Sequence, residues 1–133
     1  MSLVKLLPAW FHAIADYAVA TLLILVPAIA GGSDKAVATG IVVGIVVAAV
    51  SMLTRYPLGV VKVLPFTVHS AGDYLAAALL IGAPFALDFR TTDGGLSAFY
   101  IVAGLAVLAV SLVTNYQYSD KRDWAPTSSP QAA

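Results

Sequence analysis

One stretch of this chain occurs twice, first as Val4-Lys-Leu-Leu-Pro-Ala-Trp-Phe-His-Ala-Ile-Ala-Asp-Tyr17 and again as Val61-Lys-Val-Leu-Pro-Phe-Thr-Val-His-Ser-Ala-Gly-Asp-Tyr74. The segments that follow also match, at an offset of 60 residues: Gly44, Val47, Ala49, Val50, Ser51, Thr54 and Tyr56 correspond to Gly104, Val107, Ala109, Val110, Ser111, Thr114 and Tyr116. The chain therefore contains an internal duplication. This predicts two similar units, residues 1–59 and 60–117, followed by a loosely ordered tail of residues 118–133.

The composition places both units in a membrane. Hydrophobic residues make up 60% of the chain and charged residues 11%, and the mean hydropathy is +0.91, whereas about a quarter of the residues of a soluble domain are charged. The formal net charge is zero, so nothing favours a nucleic-acid partner. Because the chain has no cysteine, disulfides and thiolate metal sites are excluded.

Four apolar segments, at about residues 9–30, 36–53, 65–87 and 96–113, are each long enough to cross a bilayer as a helix. Continuous apolar runs without alternation favour helices over a barrel. We therefore predict an all-α fold, a four-helix transmembrane bundle built from two tandem two-helix repeats in parallel orientation. Pro27 and Pro84 predict a kink or an early end near the far ends of the first and third helices.

The first apolar segment resembles a secretory signal peptide, but it recurs inside the chain, where a cleaved leader cannot stand, so we interpret it as a structural span. An even number of spans places both termini on one side of the membrane. That side is predicted to be cytoplasmic by the positive-inside rule. It carries Lys5, Arg55, Lys62, Lys121 and Arg122, against Lys35 and Arg90 on the other side.

Each repeat carries a histidine and an aspartate into its first apolar segment. His12 and Asp16, like His69 and Asp73, are four residues apart and therefore share one helix face. An unpaired charge at such a depth costs about 2.5–3.5 kcal/mol, so the groups must find partners. We predict an intramembrane polar cluster near the symmetry axis, formed by His12, Asp16, Tyr17, His69, Asp73 and Tyr74.

Three roles are open for this cluster. The leading interpretation is a polar lock that fixes the register of the helices, in a structural or accessory membrane protein with no enzymatic activity, metal or cofactor. The second is a path for protons or a cation, since intramembrane ionisable groups are candidates for function. The third is a ligand site, either haem b held by His12 and His69 or a metal such as zinc held by two His and two Asp, although this spacing is not a recognised metal signature.

Small residues predict where helices approach closely. Gly40 and Gly44, with Ala48 after them, form a small-xxx-small stripe, and Gly104 repeats Gly44 in the second unit. We expect this stripe to serve helix packing inside the bundle, with homodimerisation as its other use. The expected partners are the lipid bilayer and, beyond it, other membrane proteins or a second copy of the chain.

The segment Leu53-Thr-Arg-Tyr-Pro-Leu-Gly-Val-Val-Lys-Val-Leu-Pro-Phe-Thr-Val-His-Ser-Ala-Gly-Asp-Tyr74, with the later Ala83-Pro84-Phe85, resembles the SPW-repeat family of small bacterial integral membrane proteins. The likeness covers about residues 4–116. The Ser-Pro-Trp triplet that names the family reads Val26-Pro27-Ala28 and Ala83-Pro84-Phe85 here, so the chain is similar to a divergent member. The resemblance implies four helices in a bacterial inner membrane and no particular activity.

Overall fold

The computed structural model describes residues 6–116, which form four α helices. Each is long and apolar enough to span a membrane, so the predicted all-α, four-helix membrane bundle is confirmed. The predicted tail of residues 118–133, like Lys5, lies outside the described residues. The helices are α1 (Ala9–Ala30), α2 (Asp34–Leu53), α3 (Phe66–Ala86) and α4 (Gly94–Val113).

Local sequence sets the helix ends. Pro8 and Pro65 stand immediately before α1 and α3, where a proline costs little because the first helical N–H groups have no partner within the helix. The Ser33 side chain accepts a hydrogen bond from the Ala36 N–H and caps α2. Pro27 and Pro84 lie inside α1 and α3, and each helix ends within one turn of its proline.

The two halves exchange equivalent contacts at the end of the bundle where α1 and α3 begin. Leu7, before α1, pairs in parallel with Thr114, after α4, and Leu64, before α3, pairs in the same way with Thr54, after α2. The Leu7 N–H donates to the Val113 carbonyl at 2.9 Å, as the Leu64 N–H does to its counterpart, the Leu53 carbonyl, at 2.8 Å. The repeats are therefore related by a pseudo-twofold axis.

Within each repeat the two helices pack closely through glycine. A Cβ at Gly44 would lie 2.9 Å from the Ala20 carbonyl oxygen on α1, and one at Gly104 would lie 2.9 Å from the Ala77 carbonyl oxygen on α3. A Cβ at Gly40 would come within 2.7 Å of the Leu23 carbonyl oxygen. All three predicted packing glycines therefore sit where backbones of the same repeat approach.

Helices α1 and α3 stand diagonally across the bundle. No Cα atom of α1 comes within 8 Å of a Cα atom of α3, while α1 contacts α2 and α4, and α3 contacts α2 and α4. Any direct link between the diagonal helices must therefore be made by long side chains. Four such side chains, from His12, Asp16, His69 and Asp73, meet near the ends where α1 and α3 begin. We call this end of the bundle the tetrad end.

Candidate functional site

Two histidines and two aspartates meet in the space between α1 and α3. His12 and Asp16 come from α1, and His69 and Asp73 come from α3. Their exposed fractions are 1%, 8%, 2% and 7%, in that order. The four-residue spacing places each pair on one helix face, and the pseudo-twofold axis brings the two faces together. We call this group the His/Asp tetrad.

Each imidazole in the tetrad faces both carboxylates. The Nε2 atom of His12 lies 3.3 Å from Asp16 Oδ1 and 3.1 Å from Asp73 Oδ2. The Nε2 atom of His69 lies 3.1 Å from Asp16 Oδ2 and 3.0 Å from Asp73 Oδ1. Among the residues that the structure describes, neither buried Nε2 atom has a partner in hydrogen-bonding geometry. Each carboxylate thus places one oxygen beside the histidine of its own repeat and the other oxygen beside the histidine of the other repeat. The four side chains form a closed ring.

The outer ring nitrogen of each histidine is held by a threonine of the other repeat. His12 Nδ1 lies 2.8 Å from Thr114 Oγ1, and this hydroxyl donates its hydrogen to the Val110 carbonyl at 2.6 Å. Because a hydroxyl has one hydrogen, Nδ1 must donate, and the proton of a neutral ring is therefore on Nδ1. The same arrangement recurs at the equivalent residues His69, Thr54 and Val50.

Two tyrosine hydroxyls reach the carboxylates. Tyr56 donates to Asp16 Oδ2 at 3.0 Å and Tyr116 donates to Asp73 Oδ2 at 2.7 Å. Burial, and then the adjacent carboxylate, raise the pKa of both tyrosines above the ordinary range. Both phenols therefore remain protonated donors. Each half supplies one carboxylate and the tyrosine that holds it.

Of the two tyrosines predicted for the cluster, Tyr17 makes its hydrogen bond to another group. Tyr17 is half-buried, and its hydroxyl donates to the Leu58 carbonyl oxygen at 2.9 Å. Tyr74, next to Asp73, is also half-buried, and the tyrosine bonded to that carboxylate is Tyr116. A residue directly after an aspartate points about 100° away from it around the helix, which explains why Tyr17 reaches a different partner.

The sequence contained a signal for the residues that were missed. Thr54 and Tyr56, with their copies Thr114 and Tyr116, are identical at the offset of 60 residues. They follow the last turn of α2 and α4, and those helix ends adjoin the start of the diagonal pair. The presence of the same polar residue in both copies indicated a shared role. The parallel pairing of Leu7 with Thr114 was needed to show that this threonine lies beside the helix of the other repeat.

Aromatic rings cover the tetrad at the end of the bundle where α1 and α3 begin. The Phe66 ring lies 5.3 Å from His12 and 4.6 Å from Tyr116, measured between centroids. Tyr56, Phe66 and Tyr116 form one buried cluster with Ala9 and Ala13, and all five are at most 2% exposed. The tetrad is therefore shielded from water at this end of the bundle.

A groove between neighbouring helices reaches the tetrad from each side. The groove between α2 and α3 has a volume of about 310 Å³ and ends at His69 and Asp73, with a lining that is otherwise apolar. Its counterpart between α1 and α4 has a volume of about 40 Å³ and ends at the first histidine and aspartate. Gly72 and Ala76 line the larger groove where Ala15 and Val19 line the smaller one.

The tetrad does not fit haem b. The centroids of the His12 and His69 rings are 5.5 Å apart, and the carboxylates of Asp16 and Asp73 lie within 3.3 Å of the ring nitrogens. A porphyrin between the imidazoles would have to displace both carboxylates. The donor set of two nitrogens and carboxylate oxygens instead matches a single cation.

Comparison with protein-family models, with curated proteins and with solved structures gave no match to this chain.

Proposed function

We propose that this chain is a structural or accessory membrane protein in which the His/Asp tetrad locks the two repeats together. One observation carries the proposal: each imidazole is shared between a carboxylate of its own repeat and one of the other, at 3.0–3.3 Å. Because the backbones of α1 and α3 do not approach each other, these side chains directly connect the diagonal helices.

Charge balance explains why the lock needs all four members. Two buried carboxylates require two compensating positive charges, and both imidazole rings lie against both carboxylates. Removing one partner leaves a buried charge without compensation, which typically costs 3–5 kcal/mol. The threonine and tyrosine bonds fix the orientation of the four groups, and such buried polar contacts favour one packing arrangement over its alternatives.

The surroundings of the tetrad support a lock better than a path for protons or cations. Beyond His69 and Asp73 the larger groove is lined by Val, Leu, Ala and Gly, and the aromatic cover closes the opposite side. A conduction path needs polar groups or water along its length. Proteoliposome flux that depends on the tetrad would favour the transport alternative.

Substitution of the tetrad tests the lock. We expect Asp16→Asn and Asp73→Asn, singly, to lower the free energy of unfolding in detergent by about 3–5 kcal/mol. The matched control is Asp34→Asn, because Asp34 is exposed in the first turn of α2. If both tetrad variants unfold like the control, the carboxylates do not hold the bundle and the proposal fails.

We also propose a bacterial inner membrane, cytoplasmic termini and kinship with the SPW-repeat family. The distribution of lysine and arginine supports this orientation. Because the chain has no cysteine, Lys35→Cys and Val61→Cys each provide one reactive thiol, at exposed sites on opposite sides. An impermeant thiol reagent applied to the outer surface of the inner membrane should label the first and spare the second. The reverse pattern would invert the orientation.

A further inference from the structure

We propose that the tetrad binds one divalent first-row transition-metal ion, with His12, His69, Asp16 and Asp73 as its four ligands. The proposal concerns the same residues as the lock. It names the source of the two positive charges that the two carboxylates require. One ligand atom from each residue lies within 4.8 Å of the others, and all four residues are buried. Three independent features of the site support a metal ion at the centre.

The first feature is the direction of the ring nitrogens. Thr54 and Thr114 accept the Nδ1–H of their histidines because each donates its own hydrogen to a helix carbonyl. A neutral imidazole then presents an Nε2 lone pair to two carboxylate oxygens. Within residues 6–116, these buried Nε2 atoms have no partner in hydrogen-bonding geometry. With both rings neutral, the Nε2 and carboxylate lone pairs converge with no hydrogen between them, which is the arrangement that a cation stabilises.

The second feature is the spacing of the donor atoms. Zinc binds histidine nitrogen at about 2.0–2.1 Å and carboxylate oxygen at about 2.0–2.2 Å, so tetrahedral neighbours are separated by about 3.3 Å. The four nitrogen–oxygen separations in the tetrad are 3.0–3.3 Å. These separations join each Nε2 atom to one oxygen of each aspartate, and one ligand atom from each of the four residues lies within 4.8 Å of the others, so an ion at the centre requires only a small inward movement of the side chains.

The third feature is the layer of residues around the ligands. Each histidine donates its outer N–H to a threonine, and each aspartate accepts a hydrogen bond from Tyr56 or Tyr116. Such outer contacts orient ligands and set their protonation in metal sites. A divalent ion with two neutral imidazoles and two carboxylates has no net charge, which suits a buried site. Nitrogen and oxygen donors suit zinc, iron, cobalt or manganese rather than soft copper(I).

Cobalt(II) titration of the full-length protein in detergent, after removal of metals with a chelator, tests the site directly. We expect saturation at one ion per chain, with the visible absorption of four-coordinate cobalt(II) bound to nitrogen and oxygen, and loss of that spectrum when zinc is added. X-ray absorption of the zinc form should show a nitrogen and oxygen shell and no sulfur. A protein that gives only the spectrum of aqueous cobalt(II) overturns the proposal.

Variants show whether the bound ion occupies the tetrad. His12→Gln and His69→Gln should abolish the cobalt spectrum, and Asp93→Asn, at the other end of the bundle, should leave it unchanged. Thr54→Val with Thr114→Val keeps all four ligands and should weaken binding about 10–100-fold. Binding that survives both histidine substitutions would place the ion elsewhere and overturn the proposal.

The metal site and the lock fail in different ways. If the wild-type protein binds no cobalt or zinc while the Asp→Asn variants are destabilised, the lock stands with protons as its positive charges and the metal proposal is wrong. If one ion binds with the expected spectrum while the aspartate variants are as stable as wild type, the metal site stands and the lock is wrong. Should the histidine variants fail to fold, the wild-type titration and spectrum still decide.

Discussion

The two ends of the bundle differ in whether their polar contacts are the same in both repeats. At the tetrad end, the threonine–histidine and tyrosine–aspartate contacts occur in both copies. At the opposite end, where the α1–α2 and α3–α4 turns lie, the Ser33 hydroxyl donates to Asp93 Oδ2 at 2.6 Å, and Tyr100 donates to the Ala36 carbonyl. Ser33 and Asp93 are equivalent positions at the offset of 60 residues, and they now hold different, complementary groups.

The difference follows from whether equivalent residues of the two repeats meet each other. Two equivalent residues on the axis meet each other, so two bulky copies would compete for one space. Gly40 is the equivalent of Tyr100, and a Cβ there would contact the Tyr100 hydroxyl. Likewise Phe66 and its equivalent Ala9 share one buried cluster. Groups that pair across the axis with a different residue type, such as histidine with aspartate, can remain identical in both halves.

The largest expected effect comes from removing one imidazole. His69→Leu leaves two buried carboxylates facing one histidine, and we expect it to lower the free energy of unfolding by about 3–5 kcal/mol. The measurement is unfolding in mixed detergent. Tyr17→Phe is the control, since the hydrogen bond from Tyr17 to the Leu58 carbonyl is exposed. If the two variants were equally stable, the contacts that occur in both repeats would be no more important for stability than the single contact of Tyr17.

The substitution Gly40→Ala tests the opposite end. The added Cβ would lie 2.7 Å from the Leu23 carbonyl oxygen, which belongs to the backbone of α1, so the helices must separate. Overpacking of this kind costs about 1–3 kcal/mol. Gly82→Ala is the matched control because it lies inside α3 with no atom within 4 Å of its added Cβ. Thermal unfolding in detergent should separate the two variants, and coincident curves would show that Gly40 is not a packing constraint.

The duplicated threonines provide a smaller effect and a test of symmetry. Thr54→Val and Thr114→Val each remove the acceptor of a buried histidine N–H, which costs about 1–3 kcal/mol when the donor is left unsatisfied. The two surroundings are equivalent, so the losses measured by unfolding should agree. A large difference would show that the unequal grooves beside the tetrad, rather than the shared contacts, determine its energetics.

These contrasts show how much of the structure can be predicted from the sequence. Hydropathy and the repeat are enough to predict the four helices and to bring His12, Asp16, His69 and Asp73 together, because residues four apart share a helix face. Tyr17 bonds to the Leu58 carbonyl instead, because its helical angle points it away from that face. The contacts of Thr54 and Tyr56 depend on how chain segments after one helix pair with segments before another. That pairing is a tertiary feature with no local pattern.

The smallest effect is expected for the contact between Ser33 and Asp93. The Ser33 hydroxyl, followed by its N–H, holds the pKa of Asp93 below the ordinary value. Folding therefore favours the ionised carboxylate, so this stabilisation is complete above about pH 3.9 and is lost as the pH falls through the lower value in the folded protein. Asp93→Asn should remove that part of the acid dependence of the melting temperature, while Asp34→Asn, which leaves the Ser33 contact in place, should retain it. If Asp93→Asn instead destabilises the protein as much as His69→Leu, the two ends are equally important and the comparison fails.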